Sequence, residues 1–278
     1  MPELPEVETT MRGMSPLVGS IVTEVIIRHP TLRWPIPSEL LQCLPHATLR
    51  SLTRRAKYIL AEFADADDQL LGTLILHLGM SGRICLLEKN EPAAKHDHFE
   101  IHFAGGQLFR LRDPRRFGAV LWVDAKDRVG NHPLIKSLGP EPLQQNFTGD
   151  YLYQQMRTRT APIKTTIMDG HLVVGVGNIY ASESLFRARI NPKTAANKVS
   201  RAKCERLVEE IKATLAAAIE AGGSSLRDFF GADGNPGYFQ QTYFVYGRTG
   251  EACHVCASPI KQIKQGQRST FYCPECQR

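Results

Sequence analysis

The sequence predicts an α+β fold: an N-terminal β-sandwich, a helical second half and a small metal-binding hairpin at the C-terminal end. Three observations carry this. Between Ile21 and Val123 apolar residues recur with period two, the pattern of half-buried strands. Beyond about residue 150 the apolar spacing becomes helical. Cys253-x2-Cys256 and Cys273-x2-Cys276 then bracket sixteen residues, the spacing of a four-thiolate zinc site.

The elements follow in order. Pro5 suits the first turn of a helix to about Met14, because proline has no N–H to be orphaned there, and Glu6 and Glu8 favour the same end. Such a helix would hold the N-terminal amine against the body of the protein. Val22 to Ile27, Tyr58-Ile59-Leu60 and Leu74-Ile75-Leu76 read as strands. Phe99, Ile101 and Phe103 alternate with His98, Glu100 and His102, and Gly105-Gly106 makes a hairpin turn into Leu108 to Leu111. Many short strands separated by turns argue for a sandwich.

Pro, Gly and polar residues from Leu138-Gly139-Pro140 to Asp150 mark a linker. Ser200 caps a helix with the stripe Leu207, Val208, Ile211, Leu215 and Ile219, ended by Gly222-Gly223. Gly231 to Gly237 should be a mobile loop before the cysteine hairpin. The expected division is a sandwich domain at 1–133, a linker at 134–150, a helical domain at 151–236 and the zinc finger at 237–278.

Composition narrows the function. The 278 residues carry 34 basic and 28 acidic side chains, a net charge of +6. The basic residues cluster, at Arg54-Arg55-Ala56-Lys57, Arg110 to Arg116 and Arg157-Thr158-Arg159. Clusters of this kind are the footprint of a phosphate backbone, although a solvated face also produces them. The acidic start lacks the basic and apolar regions of a signal peptide. The longest apolar run, Leu70 to Met80, is interrupted by Gly72 and His77 and is too short for a bilayer. A cytoplasmic, nucleoid-associated monomer is expected. Two disulfides are the alternative to zinc, and they fit a secreted chain better than this one. Cys43, Cys85 and Cys204 read as reduced core residues. Four protein ligands leave zinc no open position, so the ion should be structural.

The N-terminus carries the most distinctive chemistry. A small residue at position 2 lets Met1 be trimmed, exposing the secondary amine of Pro2. An α-amino group titrates near pH 8, against about 10.4 for lysine, so at pH 7.5 roughly a quarter of it is neutral. After attacking a carbonyl-like carbon it leaves an iminium, an electron sink suited to β-elimination. Glu3 stands one residue away as a proton carrier.

Pro2-Glu3-Leu4-Pro5-Glu6, Arg54-Arg55-Ala56-Lys57-Tyr58, His77-Leu78-Gly79-Met80-Ser81-Gly82, Asp113-Pro114-Arg115-Arg116-Phe117-Gly118, Val174 to Glu183 and the four cysteines occur in one order. Together they closely resemble the bacterial formamidopyrimidine-DNA glycosylase family, and the resemblance spans essentially the whole chain. It implies a helix–two-turns–helix domain after the sandwich, duplex DNA between the domains, and one structural zinc ion on Cys253, Cys256, Cys273 and Cys276. It implies a bifunctional enzyme that excises oxidised purines (8-oxoguanine and formamidopyrimidines) and cuts the strand by β,δ-elimination. Pro2 would be the nucleophile on C1′ of a flipped nucleotide and Glu3 its proton donor. The family gives Lys57 a proton-donor role in the first cleavage and Arg268 one in the second. For Arg268, phosphate clamping fits a guanidinium better. Met80, Arg115 and Phe117 would fill the hole left by the flipped base, and His96, Arg159, Lys164 and Asn178 would hold DNA.

Two other readings were weighed. The endonuclease VIII branch prefers oxidised pyrimidines, and Leu4 with the Met80, Arg115 and Phe117 set points away from it. A non-catalytic DNA-binding protein on the same scaffold would follow if Met1 stayed on. No nucleotide cofactor is implied, because Gly175-x-Gly177 lacks the wider dinucleotide fingerprint.

Overall fold

A computed structural model describes residues 2–88, 90–223 and 243–278. The loop expected at Gly231 to Gly237 lies outside the described residues. The chain divides into two compact units, one containing residues 2–136 and the other residues 137–220 with the segment from 243 onward.

The first unit opens with α1 (Leu4–Gly13), one residue short of the expected Met14, which serves as its C-cap. A short helix α2 (Leu40–Cys43) follows strand β1 (Val22–Ile27). Then come β2 (Thr48–Arg55), β3 (Tyr58–Ala64), β4 (Leu70–His77), β5 (Arg83–Glu88), β6 (Asp97–Phe103), β7 (Gln107–Arg112) and β8 (Ala119–Asp124). They form two antiparallel four-stranded sheets, ordered β1-β6-β7-β5 and β2-β3-β4-β8. Val25, Phe99, Ile101, Phe109 and Leu111 of the first sheet meet Leu49, Ile59, Phe63, Leu74 and Leu76 of the second in one core, which α1 joins through Val7. Truncating a ring such as Phe99, fully buried here, costs about 3–5 kcal/mol in cores of this kind. Gly105 and Gly106, at φ 97° and 88°, supply the two left-handed residues that a tight hairpin between β6 and β7 requires.

The outer face of β6 departs from the alternating pattern. Every residue from Asp97 to Phe103 is buried, the polar ones included. Glu100 faces Arg110 across the ladder and takes a hydrogen bond from its Nε at 2.8 Å. It also accepts from Arg28 (2.8 Å) and bonds His102 (2.9 Å). Arg110 in turn donates to the carbonyls of Glu91 and Pro92, so the loop before β6 closes over the charges. Burial alone would raise the carboxyl of Glu100, but its hydrogen bonds outweigh that and hold it below the ordinary value.

After α3 (Pro133–Lys136), the second unit holds α4 (Gly149–Met156), α5 (Ile163–Ile167), α6 (Asn178–Arg187), the long α7 (Arg201–Glu220) and the hairpin β9 (Lys261–Gln265) with β10 (Arg268–Tyr272). Thr148 caps α4, accepting the Tyr151 N–H at 3.1 Å, and Ser200 does the same for α7 with Lys203. The α7 stripe is buried as its spacing predicts, at Leu207, Val208, Ile211, Leu215 and Ile219. Among the described residues no helix is long and apolar enough to cross a membrane.

Candidate nucleic-acid interface and metal centre

At the N-terminus, Glu3 is the N-cap of α1 and forms a reciprocal capping box with Glu6. The Glu3 N–H donates to Glu6 Oε2 at 2.8 Å, while the Glu3 carboxylate accepts the Glu6 N–H. Glu3 is buried and Pro2 is partly exposed. The proline nitrogen is thus one peptide from a helix end fixed on both sides. Arg54 bridges from β2 to Glu8 on α1 at 2.7 Å and also donates to the carbonyl of Ala56. Ala56 turns the β2–β3 hairpin at φ 55°, and Lys57, partly exposed, follows it. The turn and the helix start are therefore held by one arginine.

Met80 and Phe117 are exposed (41% and 45%), as residues of loop tips and not of the core. Their loops are joined by the fully buried Asp113. Its Oδ1 accepts from Ser81 Oγ (2.7 Å) and the Arg115 N–H (3.3 Å), and its Oδ2 from the Gly118 N–H (2.8 Å). Gly79 sits at φ 63°, where a Cβ would lie 2.4 Å from the Phe117 carbonyl carbon. Only glycine lets the two loops come so close. The Arg115 guanidinium lies 4.8 Å from the centre of the Phe117 ring. Met80, Phe117, Gly79, His77 and Arg33 line an apolar cavity of about 420 Å³.

His77 is a functional candidate that the sequence reading passed over, although its motif was in view. It packs 5.0 Å from Tyr58, and its Nδ1 accepts the Gly79 N–H at 3.0 Å. Burial, then Lys57 and Arg33, push its pKa down to about 4, so the ring is neutral and presents Nε2–H. His96 is partly exposed, 6.4 Å from the ring of His98.

The second unit corrects one expectation. Lys164 was expected to hold DNA, yet it is 1% exposed and its ammonium is spent internally. It donates to Asn178 Oδ1 (2.5 Å), Thr270 Oγ1 (2.7 Å) and the Ser269 carbonyl (3.1 Å). Asn178 Nδ2 reaches the same carbonyl at 3.0 Å. Lys164 therefore joins α5, α6 and β10. The Asn178 side chain is occupied too, which leaves the N-terminal N–H groups of α6 as the anion-facing donors. Arg159 is paired with Asp169 at 2.7 Å and remains about one-third exposed. Arg268 begins β10, exposed, after a turn with Gly266 and Gln267 both at positive φ.

The sulfur atoms of Cys253, Cys256, Cys273 and Cys276 lie within 4.8 Å of one another, with the Cys253–Cys276 and Cys256–Cys273 pairs at 3.9 and 3.4 Å. Ligands about 2.3 Å from a tetrahedral ion stand about 3.8 Å apart, so the cluster fits zinc. None of the seven cysteines is in a disulfide. Cys85 and Cys204 are buried and Cys43 partly so, as expected.

Residues 1–120 match the formamidopyrimidine-DNA glycosylase N-terminal domain, 138–230 its H2TH domain, and 250–278 the zinc finger found in FPG and IleRS. The formamidopyrimidine-DNA glycosylase of Methylobacillus flagellatus is 64% identical over 278 residues, covering 100% of this chain and 97% of that one. The chain belongs to the formamidopyrimidine-DNA glycosylase family. The family assignment extends to the Janthinobacterium sp. enzyme, 57% identical with full coverage of both chains. Its backbone also matches Lactococcus lactis FPG solved with Fapy-dG-containing DNA, at TM-score 0.90, 35% identity and full coverage of both chains. The same L. lactis protein solved with abasic-site DNA matches at TM-score 0.90 over 99% of each chain. The four-cysteine cluster is accordingly the family's structural zinc site.

Proposed function

We propose that this chain is a bifunctional base-excision repair enzyme that removes oxidised purines, 8-oxoguanine and formamidopyrimidines, from duplex DNA and then cuts the strand as an AP lyase. The observation that carries this is the capping box: it sets Pro2 at a fixed helix start beside the Lys57 turn, in a chain whose relatives are glycosylases over its full length. Once Met1 is removed, the Pro2 nitrogen attacks C1′ of an extruded nucleotide. The C1′–base bond breaks and its electron pair leaves with the base. Glu3 protonates the sugar ring oxygen as the iminium forms. Loss of a C2′ proton expels the 3′ phosphate, and a second elimination expels the 5′ phosphate.

Lys57 serves the first elimination, as proton donor and phosphate contact. Arg268 clamps phosphate during the second. Met80 and Phe117 wedge into the stack, and Arg115 reaches the acceptors of the orphaned cytosine. His96 and Arg159 hold DNA backbone, and the α6 N-terminus led by Asn178 receives a phosphate. The work is done on nucleoid DNA in a bacterial cytoplasm, by a monomer divided functionally at 1–133, 134–150, 151–236 and 237–278.

Borohydride reduction during reaction with an 8-oxoguanine·cytosine duplex should trap a covalent adduct on the Pro2 nitrogen. Pro2→Gly should keep some strand cleavage and lose most base excision. Peptide mapping that put the adduct on Lys57 would overturn the nucleophile assignment. An intact mass retaining Met1 in active protein would do so as well.

A further inference from the structure

The two arginines of Arg115-Arg116 do different things. Arg115 lies over Phe117. Arg116, turned by a left-handed backbone at φ 56°, sends its guanidinium to His29, with Nη1 2.7 Å from Nε2. That contact cannot be a hydrogen bond for a neutral ring. His29 Nδ1 already accepts the Thr31 N–H at 3.2 Å, so the single imidazole proton sits on Nε2. A guanidinium offers only donors. Two N–H groups therefore point at each other, an arrangement that an acceptor placed between them would relieve.

We propose that His29 and Arg116 form a second binding site, for one backbone phosphate of the duplex, separate from the Arg115–Phe117 wedge. A phosphate oxygen accepts from both Nε2–H and the guanidinium, which turns the clash into two hydrogen bonds, one of them charge-assisted. The neighbourhood holds both donors in place. Asp113 anchors the turn, because its carbonyl accepts the Arg116 N–H at 3.2 Å and bonds His98 Nε2 at 2.9 Å. The His98 ring packs 5.5 Å from that of His29 and 6.4 Å from that of His96. The three imidazoles thus make a row from His96, an expected DNA contact, to the new pair. A phosphate contact carries no base information, so Arg115 and Arg116 divide the labour: one reads the orphaned base and the other fixes the register of the backbone.

The site rests on the reading that this chain binds lesion-containing duplex, and its test separates the two. Binding is measured on 8-oxoguanine duplexes that carry one uncharged methylphosphonate linkage at a time. Wild type should lose about tenfold in affinity at one linkage that Arg116→Ala no longer senses, while both stay sensitive elsewhere. His29→Phe, which keeps the ring and removes both nitrogens, should lose sensitivity at the same linkage, and Arg115→Ala should retain it. Arg116→Ala should also flatten the slope of log K against log salt by about one unit, with opposite-base preference unchanged. Millimolar inorganic phosphate should not protect the pair, because a free anion lacks the flanking contacts; saturation of His29 resonances by phosphate alone would make this a general anion pocket and overturn the assignment. So would a full methylphosphonate profile in Arg116→Ala, or different linkages sensed by the two variants. Wild type that neither binds nor cuts the lesion duplex would instead overturn the proposed function.

Discussion

At the end of β4, His77 titrates well below an ordinary imidazole because burial and two cations, Lys57 and Arg33, oppose its proton. The sign of the effect on stability follows. As pH falls from about 6.5 to 4 the unfolded chain takes up a proton that the folded chain refuses, so stability falls across that window. His77→Gln should flatten the dependence, seen as denaturation midpoints that change less between pH 7 and 5 than in wild type. Glu100 and Asp97 act in a lower window. Their carboxyls are held below ordinary values, so their contribution is complete above about pH 4.5 and drains on further acidification. A second test at this scale concerns Gly79. A Cβ there meets Phe117 backbone, so Gly79→Ala should push the two loop tips apart. The expected result is a protein that still binds abasic duplex and loses most excision of 8-oxoguanine, where the base must first be extruded.

The elements differ in how far their sequences explain them. Helix α1, the Gly105-Gly106 hairpin and the apolar stripe of α7 follow from local chemistry and were legible: a proline at a helix start, two glycines at a turn, a 3.6-residue period. The partners of Lys164 were not. They stand more than a hundred residues away in β10, and no local pattern tells a lysine on a short helix that its acceptors lie there. The outer face of β6 misled for a related reason. Alternation reports polarity, and polarity means solvent only when no opposite charge is in register; Glu100 faces Arg110. Lys164→Met should test the joint. Losing it strands the acceptors of Asn178 and Thr270, each worth about 1–3 kcal/mol when buried unpaired. The hairpin should then loosen, with equal loss of binding to damaged and undamaged duplex. Lys164→Arg, which keeps the charge and overfills the space, should restore less than half of the affinity if position matters more than charge.

For the whole molecule, the division into two units predicts two separable stabilities. The zinc site contributes folding energy to its own small module, packed in a cluster of Phe186, Val245, Ile260 and Phe271 with Cys253 and Cys273. The sandwich has an independent core. Chelation, or Cys253→Ser, should lower one calorimetric transition, leave the other in place and abolish DNA binding. A single transition moving as a unit would mean that the two cores melt together. The division of the chain was visible in its composition, as the period changed from two to 3.6 near residue 150. The site's chemistry was visible because its residues come in short motifs. What lay beyond the sequence was how the motifs are fastened, by Asp113 between two loops and Arg54 between helix and turn.

The capping box at Glu3 and Glu6 also bears on how this protein can be made. A helix start fixes the direction in which the preceding residue leaves, and adjacent Cα atoms are about 3.8 Å apart. One extra residue ahead of Pro2 would thus both block the amine and carry the new terminus a full residue out of register, without disturbing any bond in the box. A purification tag fused upstream, or a start codon misjudged by a few triplets, should yield a folded protein that binds duplex and leaves every lesion in place. Tags belong at the other end, beyond Arg278, where the last side chain pairs only with Glu275 among the described residues and is otherwise exposed.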